Sequence, residues 1–121
     1  MIINLDYTSR IPIYEQIVNE IERYVALGIL KEKEQILSIR DLASNLGINP
    51  NTVKKAYGIL EQKGIIISMS TKGTFIKENA SLVKENTINN YISDIEKIID
   101  KLVKLGLSKE EIIKRIKWWV N

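Results

Sequence analysis

The segment Leu46-Gly47-Ile48-Asn49-Pro50-Asn51 constrains this chain more than any other. Glycine readily takes the left-handed conformation that ends a helix. Asparagine offers its side-chain carbonyl to the unpaired N–H groups of a helix start, and proline suits the first helical position, where no N–H partner is needed. A helix that stops at Gly47 and another that is capped by Asn49 and begins at Pro50 leave only Ile48 between them. Two helices therefore meet through a very short turn. Upstream, Ser38 with Asp41 three residues on predicts a cap for the first of the pair, and Ile39, Leu42, Ala43 and Leu46 fall on one face over barely two turns. Downstream, Val53, Ala56, Tyr57 and Leu60 recur at helical spacing as far as Gly64, which leaves Asn51, Thr52, Lys54 and Lys55 distributed over the other faces.

The flanks complete a small module around this turn. Pro12 opens a helix whose apolar residues Tyr14, Ile17, Val18, Ile21, Tyr24 and Val25 recur at spacings of three and four, up to Leu27-Gly28. Gln35-Ile36-Leu37 reads as a short extended stretch. After Gly64, Ile65-Ile66-Ile67-Ser68-Met69 and Thr74-Phe75-Ile76 read as two strands around the turn Ser70-Thr71-Lys72-Gly73. The predicted architecture is mostly α with a small β-hairpin: a winged helix-turn-helix over residues 1–78. Residues 79–121 carry a second pattern, a long apolar stripe of Leu82, Ile88, Tyr91, Ile92, Ile95, Ile98, Ile99, Leu102 and Leu105 closed by Gly106. Ser108 with Glu111 then predicts a capping box for a last helix bearing Ile112, Ile113, Ile116, Trp119 and Val120. Two helices with this much apolar surface and no domain beneath them are expected to pair with a second copy of the chain.

A helix-turn-helix reads DNA by laying its second helix in the major groove, with the N-terminal residues against base edges. Asn51 and Thr52 fall in that first turn, and Lys54 and Lys55 follow within reach of phosphates or guanine; exposed backbone N–H groups at the helix start are expected to add a phosphate contact. The alternative for Asn49 is a cap alone, and for either lysine an ordinary solvated surface. Charge favours the nucleic-acid reading through its distribution. Residues 1–39 hold four Lys and Arg against six Asp and Glu, whereas residues 40–77 hold six against two, so the basic balance sits in the segment of the turn and the wing. A protein-binding winged helix is the competing class, and it calls for an apolar exposed face on the third helix where this chain has Asn51, Thr52, Lys54 and Lys55.

The chain has no cysteine and no histidine, which removes disulfides, thiolate or imidazole metal sites and the commonest general base. It shows no clustered acidic pair, Gly-rich phosphate loop or nucleophile motif, so neither an enzyme nor a cofactor is expected. No apolar run approaches the ~18 residues of a membrane span and no secretory apolar segment follows Met1, so a cytoplasmic location is expected. Trp118 and Trp119 invite a ligand-pocket reading, but a helix pair encloses little volume, and one indole packed in a subunit interface is the simpler expectation. An effector is left unassigned.

Ordered motifs now support a resemblance. Pro12-Ile13-Tyr14-Glu15-Gln16-Ile17, Ser38-Ile39-Arg40-Asp41-Leu42-Ala43, Leu46-Gly47-Ile48-Asn49-Pro50-Asn51-Thr52-Val53, Ala56-Tyr57, Leu60-Glu61, Gly64 and Gly73-Thr74-Phe75 together resemble the DNA-binding domain of the GntR family of transcription regulators, over roughly residues 10–77. The tail, through Leu105-Gly106-Leu107-Ser108 with Glu110-Glu111, resembles the small YtrA subfamily, in which two helices replace a larger effector domain. The resemblance implies a homodimeric repressor on an inverted-repeat operator. It implies a phosphate or base contact at Arg40, recognition-helix contacts at Asn51, Thr52 and Lys54 directly after Pro50, and minor-groove contacts at Thr71, Lys72 and Gly73. Two departures stand out. Lys31-Glu32-Lys33-Glu34 and Leu37-Ser38 replace the family's usual Pro-Gly turn and Leu-Pro-Ser segment, and the wing tip keeps one cation, Lys72, where an Arg-Gly-Arg-Gly type is common.

Overall fold

The computed structural model describes residues 1–117; the expected interface residue Trp119, like Trp118 and Val120, lies outside them. The first helix, α1, spans Ile13–Ala26 behind Pro12, and it buries the predicted stripe of Ile17, Val18, Ile21 and Val25. Gly28 turns the chain at φ 74°, and the N–H groups of Ile29 and Leu30 both reach back to the Tyr24 carbonyl, at 2.8 and 3.1 Å. Helix α2 spans Ile39–Leu46 and helix α3 spans Pro50–Gln62, with both α1 and α2 packed against α3. Ile17, Ile21, Leu42, Val53 and Leu60 are almost wholly removed from solvent at the centre of this arrangement, each contributing roughly 1.5–3 kcal/mol.

The wing is larger than the expected hairpin. Strands β2 (Ile66–Met69) and β3 (Gly73–Ile76) pair antiparallel as predicted, but β1 (Gln35–Ile36) adds a third strand in the order β1-β3-β2. Gln35 lies opposite Phe75 and Ile36 opposite Thr74, while the Lys33 N–H donates to the Ile76 carbonyl and the Ile76 N–H to the Glu34 carbonyl, both at 2.8 Å. The buried Ile36 side chain pins this two-residue strand to the core, and the alternation of a strand leaves Gln35 exposed.

The chain divides into two compact units, Met1–Lys84 and a second from Glu85 onward. The first unit runs past residue 78, where the sequence pattern changes. Ala80, in a single 3-10 turn (Ala80–Leu82), is buried in the first core, and Val83 packs against it. The N-terminal arm is also part of this unit: Ile3 is buried, the Tyr24 hydroxyl donates to the Ile2 carbonyl, and the Gln16 amide accepts from the Asp6 N–H and donates to the Asp6 and Ile11 carbonyls.

Helix α4 (Val83–Lys104) carries the apolar stripe from Ile88 to Leu102, with none of its residues buried, whereas Leu82, expected in the stripe, lies in the preceding 3-10 turn and Leu105 just past the helix. Gly106, at φ 101°, ends it, and α5 (Lys109–Ile116) starts at Ser108, whose hydroxyl accepts from the Glu111 N–H at 3.2 Å. Only half of a capping box forms, because the Glu111 carboxylate pairs with Arg115 at 3.0 Å. Among the described residues no helix is long and apolar enough to cross a membrane.

Candidate nucleic-acid interface

The turn between α2 and α3 has the geometry its residues dictate. Gly47 sits in the left-handed region at φ 66°, and the Ile48 N–H returns to the Ala43 carbonyl at 3.0 Å, so the end of α2 is closed by the backbone itself. Asn49 is extended, and its side-chain carbonyl accepts from the Asn51 N–H at 2.8 Å. The Thr52 N–H donates to the Asn49 backbone carbonyl at 3.0 Å. With Pro50 lacking a donor, the N–H groups of Asn51 and Thr52 are thus engaged within the chain. The expected sequence-blind phosphate contact through open N–H groups is therefore not available at these positions, and side chains are left to make the contacts of this turn.

Those side chains are presented as the sequence predicts. Val53, Ala56, Tyr57 and Leu60 face inward and are buried, while Pro50, Asn51, Lys54 and Lys55 are exposed and Thr52 is half-buried. The two lysines differ. The Lys55 ammonium stands 4.0 Å from the centre of the Tyr14 ring of α1, a cation–π contact that draws it back onto the protein. Lys54 has no ion pair among the described residues, and neither does Arg40, the exposed second residue of α2, nor Lys72. Lys63, from the same basic segment, is spent structurally: its ammonium meets Glu22 of α1 at 2.6 Å.

Two further contacts hold α3 in place, neither of them visible as a motif, and the predicted cap forms at the start of α2. The buried Tyr57 hydroxyl donates to the Leu37 carbonyl at 2.6 Å, which ties the middle of α3 to the segment that leads into α2, and burial pushes its pKa upward so that it stays a donor. The Glu61 carboxylate accepts from the Ser68 N–H at 3.2 Å and links α3 to β2. The Ser38 hydroxyl accepts from the Asp41 N–H at 3.1 Å and fixes the start of α2 on either side of Arg40.

At the wing, Met69 pairs with Gly73 across the loop Ser70-Thr71-Lys72, and Thr71 and Lys72 are exposed at its tip. Gly73, at φ 120°, is half-buried, and a Cβ there would stand 2.6 Å from the Gln35 amide nitrogen, so it serves backbone geometry more than contact. Gly73, Gln35, Ser38 and Asp41 border one groove of about 500 Å³, which brings the base of the wing beside the start of α2. The DNA-binding residues predicted from sequence all belong to the first unit, and those expected at the dimer interface from Ile88 to Ile116 belong to the second. The residues that sequence reasoning missed are the supports Tyr14, Gln35 and Tyr57. Of these, Tyr57 appeared only as a core residue, and nothing in the spacing signals a partner for its hydroxyl.

A family model described as "Bacterial regulatory proteins, gntR family" matches residues 13–76. The HTH-type transcriptional repressor YtrA of Bacillus subtilis (strain 168) is 45% identical over 78 residues, which span 64% of this chain and 60% of that repressor. The crystal structure of a transcriptional antiterminator from Listeria monocytogenes EGD-e is similar over 100% of this chain and 91% of its own, with a TM-score of 0.73 and 40% identity. The DNA-binding domain of AraR, crystallised in complex with operator ORX1, matches 60% of this chain and 90% of its own with a TM-score of 0.54 and 27% identity.

Proposed function

Because the chain belongs to the gntR family of bacterial regulatory proteins, we propose that it is a sequence-specific transcription repressor that binds an inverted-repeat operator as a homodimer. One observation carries the DNA reading: α3 buries one face completely and offers Asn51, Thr52 and Lys54 from its first two turns, on a helix joined to α2 by a turn of the helix-turn-helix type. The Asn51 amide has the paired donor and acceptor that match adenine in the major groove, and the Thr52 hydroxyl and methyl suit a neighbouring base edge. Lys54 and Arg40 supply charge to the backbone or to guanine, and Lys72 with Thr71 reaches the minor groove from the wing. The complex of the related AraR domain with its operator, and the role of the related YtrA as a transcriptional repressor, support this reading.

The exposed stripe of α4 supports the dimer. Ile88, Tyr91, Ile92, Ile95 and Ile98 are each 40–57% exposed along one stripe, which continues through the half-buried Ile99 and Leu102 to the exposed Leu105. A second copy of the same stripe covers it, with the exposed Ile113 and Ile116 of α5 adding to the apolar surface; Ile112, expected at the interface, is instead already buried within the chain. Two-fold symmetry then sets two copies of α3 into successive major grooves, about 34–36 Å apart along the duplex. Occupying a promoter in this way excludes polymerase; binding is the whole of the activity, and it takes place on the chromosome in the cytoplasm.

Selection of bound DNA from a random pool tests the reading directly. A palindromic motif is expected, and Asn51→Ala should cost roughly 1–3 kcal/mol on that motif and relax one base position in each half. A pool that yields no motif, or an Asn51→Ala protein that selects the same motif with the same affinity, refutes it.

A further inference from the structure

We infer that Gln35 is a positioning residue for the wing: its side-chain amide straps the wing tip to the body of the domain and so sets where Lys72 meets DNA. The inference rests on the DNA-binding reading of the wing. It begins with the weakness of the tip. The loop Ser70-Thr71-Lys72 is exposed, carries Ser70 at φ 43°, and is closed by the Lys72 N–H on the Met69 carbonyl at 2.7 Å, a bond within the hairpin that does nothing to orient the hairpin itself. The open groove of about 500 Å³ borders Gly73 and Gln35 at the base of the wing, so no packed side chains fill the space between that base and the start of α2.

Gln35 bridges this gap. Its amide nitrogen donates to the Lys72 carbonyl at 3.3 Å and lies across Gly73, in the space a Cβ on that residue would need. The strap is anchored at its other end. Ile36, next in the chain, is buried in the core, and the β1–β3 pairing with the flanking Lys33–Ile76 and Ile76–Glu34 bonds fixes the strand from which Gln35 projects. Glycine at 73 and glutamine at 35 thus form one device. The glycine lets a donor approach the backbone of the residue that carries the wing's cation, and a long amide is the side chain that reaches it. With a single cation at the tip, the place of that cation matters more than it would in a loop with two.

The test is a double-mutant cycle on operator binding in the full-length protein, with Gln35→Met, which keeps the length and removes the donor, and Lys72→Ala. Each affinity is measured across a salt series. Lys72→Ala should lower the slope of log affinity against log salt by about 0.9 per subunit. Gln35→Met should lower affinity about fivefold per subunit, on the order of one net hydrogen bond, and should flatten the slope in the same direction. The double variant should be no weaker than Lys72→Ala alone, because the strap acts through that lysine. In the free protein, the backbone amides of Thr71 and Lys72 should gain fast motion by nuclear spin relaxation in Gln35→Met, while those of α3 stay as they are.

The failures separate. If Lys72→Ala leaves both slope and affinity unchanged, the wing is off the DNA and this inference falls with that reading. If Lys72→Ala acts as stated while Gln35→Met binds like the wild type, or if the two losses add in the double variant, the wing reading stands and the strap is overturned.

Discussion

Replacing Lys54 and Lys55 one at a time by alanine should give two different phenotypes, although the two residues are neighbours of the same type. Lys54 is exposed and has no ion pair among the described residues, so its charge is available to a phosphate. Each neutralised phosphate contributes about 0.9 to the slope of log affinity against log salt, and a dimer presents two such lysines, so Lys54→Ala should flatten the slope by about 1.8. Between roughly 50 and 200 mM salt, a fourfold change, that difference makes the wild type lose about twelvefold more affinity than the variant. Lys55, held 4.0 Å from the Tyr14 ring, should leave the slope within about 0.3 of wild type when replaced. Its loss should appear in stability instead, at about 0.5–1 kcal/mol, and a Tyr14→Leu change should remove most of that effect in a double-mutant cycle. Fluorescence anisotropy on a labelled operator across the salt series, with urea unfolding of the same proteins, measures both quantities. Equal flattening by the two variants would refute the assignment of Lys55 to the α1–α3 contact.

Other changes probe the supports. Tyr57→Phe removes the donor to the Leu37 carbonyl and should cost about 0.5–1.5 kcal/mol in urea unfolding without changing the dependence on denaturant. Gly47→Ala forces a side chain into φ 66° and should cost about 1 kcal/mol, read as a lower melting temperature, although no atom lies within 4 Å of the added Cβ. Ile92→Asp with Ile95→Asp places two charges on the exposed stripe of α4; the circular dichroism of the first unit's fold should persist while sedimentation velocity shows a monomer and operator affinity falls by orders of magnitude.

What the chain reveals of itself before its structure is known depends on how local the cause is. The caps at Ser38 and Asn49, the left-handed stop at Gly47 and the burial of Val53, Ala56, Tyr57 and Leu60 all follow from residues within one or two turns of one another, and each appears as read. The strand β1 does not: its two residues become a strand only because Thr74 and Phe75, about forty positions on, lie beside them. The same distance hides the Lys55–Tyr14 contact and the Tyr57–Leu37 hydrogen bond, since no spacing rule couples one helix surface to another segment's carbonyl. The first unit's end at Lys84 was obscured for a different reason. Ala80 is a small residue outside any periodic run, and only the core around it shows that it is buried. At the site itself, residue types gave the exposed Asn51 and Lys54, whereas the occupied N–H groups of the first turn depended on which way the Asn49 side chain turned.

The separation of α3 into a face that holds and a face that reaches outward bears on how such a protein changes over generations. Val53, Ala56, Tyr57 and Leu60 carry the helix's share of folding free energy, while Asn51 and Lys54 are exposed. On the proposed function, substitutions at the outward positions redirect which promoter is found at little cost to the fold, so a duplicated copy is free to acquire new target genes by single steps. Thr52, half-buried between the two faces, is where that freedom narrows: there a new target and a sound fold must be satisfied by the same side chain.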